Sequence, residues 1–230
     1  VVRPGGRAPG LSFSSMTEPS HLTATRTFYD AIAADYAEHF AKELQAKPLD
    51  RAMLAAFAEL VRTTGGGPVV EVGCGPGRVT AYLHSLGLDV FGVDLSPAMV
   101  ETARRDHPDL RFHVGSMMDL DLADGALGGV VAWYSLIHTP PELLPATFAE
   151  FRRVLAPGGH LLLAFQVGDG PLRVAEPFGH PVALDFNRLA PDRIADSLDQ
   201  AGLAVRARLV REPDATEKVR QAFLLAGKPV

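Results

Sequence analysis

Along residues 25–46 the apolar positions Phe28, Ile32, Tyr36 and Phe40 recur at every fourth residue, the spacing of one helical face. A second amphipathic stretch over 49–61 ends at Gly65-Gly66-Gly67, and the two together predict an N-terminal helical cap. The pattern then changes to short continuous apolar runs that alternate with helical periodicity. It predicts strands over 68–72, 88–93, 110–114, 130–133 and 159–165, with helices over 78–86, 97–106 and 141–155. Apolar strands separated by helices indicate a parallel sheet covered on both faces, so the predicted class is α/β and doubly wound. Residues 167–189 break the rhythm with glycine and proline. A helix is predicted over 191–201, and the two final strands, 203–210 and 219–226, are joined by Glu212-Pro213-Asp214. So short a connection makes that last pair antiparallel.

Composition then removes whole classes of function. A chain of 230 residues that is 47% hydrophobic suits one sizeable domain. Residues 1–15 lack periodicity and read as a disordered or vector-derived leader, with Met16 as the natural start and 16–230 as the domain. Lys and Arg total 22 against 27 Asp and Glu, which leaves no broad basic field, and nucleic acid is not expected as a partner. The single cysteine, Cys74, excludes an internal disulfide and fits a reducing compartment, the cytoplasm. No apolar run approaches the roughly 20 residues of a spanning helix, so no membrane association is expected. His107 and His113 lack spaced Cys or Glu partners, and no metal is expected.

The chemistry is concentrated after the first core strand. Glu71-Val72-Gly73-Cys74-Gly75-Pro76-Gly77 carries a buried strand into a glycine turn and then a helix, the form of a nucleotide-type pocket at the carboxyl end of a strand. A dinucleotide fingerprint would require glycine where Arg78 stands. Asp94, at the end of the second strand, is placed to accept hydrogen bonds from a ribose diol. Cys74 reads either as a small residue that fits the turn or as a reactive thiol.

These residues resemble the class I S-adenosylmethionine-dependent methyltransferases, whose small bacterial members carry Glu-x-Gly-x-Gly-x-Gly. Three further segments support the resemblance: Val93-Asp94-Leu95-Ser96-Pro97-Ala98-Met99, Gly115-Ser116-Met117-Met118-Asp119-Leu120 and Arg153-Val154-Leu155-Ala156-Pro157-Gly158-Gly159. The resemblance implies a Rossmann-like, seven-stranded sheet that is mostly parallel with an antiparallel C-terminal strand. It implies S-adenosylmethionine as cofactor and S-adenosylhomocysteine as product. By position, Gly73, Gly75 and Gly77 would border the methionine part, Asp94 the ribose, and Met99, Ser116 and Met117 the adenine. Glu71, Cys74, Leu95 and Trp133 fall among the same cofactor positions, and Arg78 is a candidate for the carboxylate. The chain departs from the family pattern at Ser116, often acidic, and at Leu127-Gly128-Gly129, often Phe-Asp.

On the acceptor side, the segment Ala132-Trp133-Tyr134-Ser135-Leu136-Ile137-His138-Thr139 would, by the same resemblance, line the meeting point of cofactor and acceptor. Tyr134 and His138 are the candidate catalytic residues, with His138 either a base near neutrality or a structural histidine at a strand end. Tyr29 could close over the cofactor through its ring face, and Tyr36 could reach the acceptor, although both also suit a packed helix face. The organisation expected is a cap over 16–64, a cofactor core over 68–166, an acceptor lid over 167–190 and a C-terminal helix with its strand pair over 191–230. Within the lid region, Gln166, His180 and Asp185 are candidate substrate contacts. The expected reaction is methyl transfer to a small acceptor, such as an aromatic or heterocyclic secondary metabolite, by a monomer or homodimer. Two other classes stay open: an RNA or protein methyltransferase, and a cofactor-binding protein that does not methylate.

Overall fold

The computed structural model describes residues 19–173, 179 and 184–230. The predicted leader, Met16 and His180 lie outside them. The cap consists of α1 (Ser20–Phe40), α2 (Glu43–Ala46) and α3 (Pro48–Thr63). The helix expected over 25–46 therefore begins earlier and breaks after Phe40. Phe28 and Ile32 of its apolar repeat are buried in the core, whereas Tyr36 and Phe40 remain half-buried.

The core follows as β1 (Val69–Val72), α4 (Arg78–Ser85), β2 (Val90–Asp94), α5 (Pro97–Asp106), β3 (Arg111–Val114), β4 (Leu127–Trp133), α6 (Leu144–Val154) and β5 (Leu155–Gln166). After it come β6 (Gly170–Arg173), β7 (Asp185–Arg188), α7 (Pro191–Gln200), β8 (Ala204–Arg211) and β9 (Gln221–Gly227). The seven-stranded sheet has the order β3-β2-β1-β4-β5-β9-β8, parallel from β3 to β5, with β9 antiparallel to both its neighbours. The strand order reverses between β1 and β4, which opens the crevice where doubly wound sheets take ligands.

All residues of β1, β4 and β9 are buried, as expected of strands covered on both sides. Successive residues point to opposite faces. Val130 and Ala132 join one apolar layer with Phe148, Phe151 and Leu198, while Val131 and Trp133 join the other with Leu54, Phe57 and Leu83. Each buried phenylalanine contributes about 1.5–3 kcal/mol of hydrophobic stabilisation.

An ionic network, buried at Lys47 and Asp50 and exposed at Asp214, fastens the cap to the last hairpin. Arg211 grips Glu217 with both terminal nitrogens and Asp50 at 3.0 Å, and Lys47 bonds Asp214 at 3.0 Å and also Glu217. Removing one member would leave its partner's charge desolvated and unpaired. Two short stretches differ from the expected elements. Residues 167–189, predicted irregular, include the antiparallel pair β6 and β7, and β5 begins at Leu155 rather than after the glycines. Among the described residues no helix is long and apolar enough to cross a membrane.

Candidate functional site

The floor is built by the turn after β1. The Gly73 N–H donates to the Val93 carbonyl at 2.7 Å, and the Gly75 N–H donates to Asp94 Oδ2 at 2.7 Å. Asp94 Oδ1 accepts from the Ser96 N–H at 2.9 Å, so one carboxylate locks the glycine turn and the β2–α5 turn together. Burial pushes the Asp94 carboxyl above its ordinary range, and the main-chain donors at Ser96 and Gly75 oppose that shift. Gly73 has φ +68°, and a Cβ there would lie 2.3 Å from the Ser135 Cβ. The β1 turn and the segment after β4 can meet only because this position has no side chain.

Above the floor lies a cavity of about 840 Å³, roofed by α1. It brings together Gly73, Gly75, Asp94, Leu95 and Met99 from the β1 and β2 ends. Ser116, Met117, Trp133, Tyr134 and His138 line it from the later turns, and Tyr29 and Tyr36 line it from the roof. The Ser116 hydroxyl accepts from the Met118 N–H at 3.2 Å and so closes its own turn. Tyr134 holds φ +55°, uncommon outside glycine, and burial raises its phenol while Asp50, behind the sheet, adds to the rise.

A smaller recess of about 260 Å³ adjoins the cavity and is lined by Glu71, Cys74, Arg78, Tyr36 and Trp133. Burial pushes the Glu71 carboxyl up to about 8, against the 2.5 Å hydrogen bond donated by the Thr80 hydroxyl. Arg78 pairs with Glu43 at 2.8 Å and lies 6.0 Å from the Phe40 ring centroid. The Cys74 side chain packs in a small cluster with Val100, Ala103 and Phe112, and burial raises its thiol well above the ordinary value. That is the environment of an inert filler rather than a reactive thiol.

The roof is tied at two places. On the floor side, Asp30 accepts from the Ser96 hydroxyl at 2.6 Å and the Ala98 N–H at 3.1 Å, and Arg26 Nε donates to the Leu95 carbonyl at 3.3 Å. On the other side, the Tyr29 hydroxyl lies 3.0 Å from His138 Nε2, and His138 Nδ1 lies 3.0 Å from the Asp185 carbonyl oxygen on β7. That oxygen can only accept, so Nδ1 carries the proton and Nε2 accepts from Tyr29. Burial pulls the imidazole down to about 4, and the Asp185 carbonyl works in the opposite sense. Phe186 packs edge-on against His138 with centroids 4.7 Å apart, and Asn187 Nδ2 donates to the Thr139 carbonyl at 3.2 Å.

Other sequence-predicted residues stand outside the cavity. Gly77 starts α4 at φ +82°, and a Cβ there would meet the Phe112 ring at 2.7 Å, so its smallness serves packing. Gln166 ends β5 opposite Gln221, and its carbonyl accepts from the Leu189 N–H. Asp185 is exposed and contributes its main-chain oxygen to His138. Conversely, His21, Leu22 and Thr25 also line the cavity without having been expected there, whereas Ser135 and Thr139 line it from the segment expected after the fourth strand. The α1 members fall on one helical face with Tyr29, and that spacing is the signal that could have found them.

The donor set fits S-adenosylmethionine. The recess brings an acid and an arginine together, as an amino-acid tail requires, and the two Asp94 oxygens, which accept from the Gly75 and Ser96 N–H groups, keep lone pairs for a diol. Ser135 Oγ and His21 Nε2, buried on the cavity wall, have no hydrogen-bond partner among the described residues. Such atoms call for a polar ligand.

Known proteins agree with this geometry. A family model described as a methyltransferase domain matches residues 69–159. The malonyl-[acyl-carrier protein] O-methyltransferase of Pectobacterium atrosepticum is 31% identical over 148 residues, 59% of this chain and 57% of that protein. The chain thus spans little more than half the length of that relative. The magnesium-protoporphyrin O-methyltransferase of Rhodobacter capsulatus is 36% identical over 159 residues, 62% of this chain and 69% of that protein. Among solved structures, the magnesium protoporphyrin IX methyltransferase of Synechocystis PCC 6803, with bound SAM, superposes with a TM-score of 0.69 at 17% identity, covering 93% of this chain and 100% of that one. At that identity the superposition speaks for the fold, while the Rhodobacter relative carries the likeness into the sequence itself, and the chain belongs to the class I S-adenosylmethionine-dependent methyltransferases.

Proposed function

We propose that this chain transfers a methyl group from S-adenosylmethionine to a small, uncharged aromatic or heterocyclic acceptor. The cofactor supplies a methyl on a sulfonium, already activated for displacement, so the protein's task is to place the acceptor in line and keep water out. The reading rests on the character of the cavity wall beyond the glycine turn: Leu22, Thr25, Tyr29, Tyr134, His138 and Thr139 are all neutral. The charged lining residues Arg26 and Asp94 hold the β2–α5 turn. On this reading, 20–63 form the roof, the β1 to β5 ends hold the cofactor, and the β6–β7 hairpin shields the acceptor.

The test is incubation with S-adenosylmethionine and a panel of phenols, heteroaryl amines and porphyrin precursors, read by mass. A gain of one methyl on a panel member with equal formation of S-adenosylhomocysteine is expected. Methylation of a protein or RNA fraction, with the panel untouched, would overturn it.

A further inference from the structure

His138 cannot meet an acceptor directly, because both ring nitrogens are already engaged. Nδ1–H is held by the Asp185 carbonyl and Nε2 by the Tyr29 hydroxyl, each at 3.0 Å. The ring is also enclosed, with Phe186 at 4.7 Å and Tyr29 at 5.4 Å between centroids. Tyr29, by contrast, lines the cavity, and an oxygen that donates its one proton to His138 retains lone pairs for a second partner. Resting on the proposed transfer to a small acceptor, we infer that Tyr29 is the residue that takes the acceptor's proton while passing its own to His138.

The acceptor oxygen or nitrogen bonds the methyl carbon as the carbon–sulfur bond breaks, with that electron pair staying on sulfur. The acceptor's proton moves to Tyr29 Oη, and the Tyr29 proton moves to His138 Nε2. The resulting imidazolium keeps its Nδ1–H on the Asp185 carbonyl, and its extra proton leaves to water after product release. No phenolate has to exist on its own, which matters because burial, then Tyr36 and Asp94, hold the Tyr29 phenol well above its ordinary range. From β7 the Asp185 main chain and the Phe186 ring face His138, and from α1 Tyr29 does.

The relay sets the acceptor class. An imidazole pulled down to about 4 is neutral throughout the physiological range and takes protons only from strong acids. A hydroxyl becomes such an acid as its oxygen gains a methyl, and a heteroaryl nitrogen does likewise. Hydroxyl and heteroaryl nitrogen acceptors, which must lose a proton, are therefore the ones whose methylation the relay assists.

The test uses the full chain, with ¹⁵N-labelled histidine in the presence of S-adenosylhomocysteine, and single-turnover transfer to two probes. One probe is 2-naphthol; the other is iodide, a nucleophile without a proton. The expected ring form at pH 7 is Nδ1–H with a bare Nε2. Tyr29→Phe, which deletes one oxygen, should slow 2-naphthol about a hundredfold or more and leave iodide within about threefold. His138→Gln should do the same, and the double variant should be within about threefold of either single, because both remove one relay. An Nε2–H ring form in the wild type, or equal slowing of both probes, would overturn the relay. If S-adenosylhomocysteine binds and neither probe is methylated, that result counts against the small-molecule reading, and the ring form then decides the relay by itself.

Discussion

The two halves of the cavity are built on different plans. On the cofactor side, the bonds that shape the floor itself are short in sequence: Asp94 reaches Gly75 across 19 residues and Ser96 across two, and Thr80 reaches Glu71 across nine. On the acceptor side, Tyr29 reaches His138 across 109 residues, His138 reaches Asp185 across 47, and Asn187 reaches Thr139 across 48. The first half is a local device that the strand–turn–helix unit forms by itself. The second exists only when the roof, the turn after β4 and the β6–β7 hairpin dock together. A site of this kind can keep its cofactor half constant while the acceptor half changes.

The sharpest break should come where the halves touch. Gly73→Ala would force a Cβ against Ser135 in a left-handed backbone, and it should cost about 2–5 kcal/mol in urea unfolding together with loss of S-adenosylhomocysteine binding. An alanine protein with wild-type stability and affinity would show that the two segments are not in contact. Next in size is Asp94→Ala. It should weaken calorimetric affinity by about 1–3 kcal/mol, since a charge-assisted acceptor is lost and the Gly75 and Ser96 N–H groups are left unpaired. Unchanged affinity in the folded variant would remove Asp94 from the cofactor half.

The legible part of the molecule follows the same division. β1, the glycine turn, β2 and Asp94 could be read from sequence because their signals are contiguous. The β6–β7 hairpin was missed because its arms, Gly170–Arg173 and Asp185–Arg188, show no apolar alternation and lie too far apart for a turn signal. That His138 lies beside the cavity could be read from its position after β4, but no spacing in the chain reveals that Tyr29 and Asp185 occupy its two nitrogens. The departure at Leu127-Gly128-Gly129 also has a local cause: a Cβ on Gly129 would lie 2.6 Å from the Phe57 ring of α3.

The smallest effect separates the halves by pH. Glu71, pushed up to about 8 from an ordinary 4.5, keeps a proton that the unfolded chain has lost, so its stabilisation is complete below 4.5 and disappears as pH rises through 8. His138, pulled down to about 4 from 6.5, refuses a proton that the unfolded chain takes, so stability is lost as pH falls from 6.5 to 4. Thermal unfolding should therefore weaken on both flanks. Glu71→Gln should flatten the alkaline flank and His138→Gln the acid flank, each by a few degrees. Flanks indifferent to these substitutions would mean that neither group is buried as described.

Asp30 carries a consequence of another kind. It reaches down from the roof to the amino end of α5, where free N–H groups and the positive end of the helix dipole would otherwise welcome a phosphate. That place is already held by the protein's own carboxylate, with Asp94 beside it. A phosphorylated nucleotide brought here would set anion against anion, whereas an adenosine whose sulfur bears a positive charge meets no such opposition. The carboxylate at this helix end thus stands against a phosphate on the adenosine, while leaving a sulfonium unopposed.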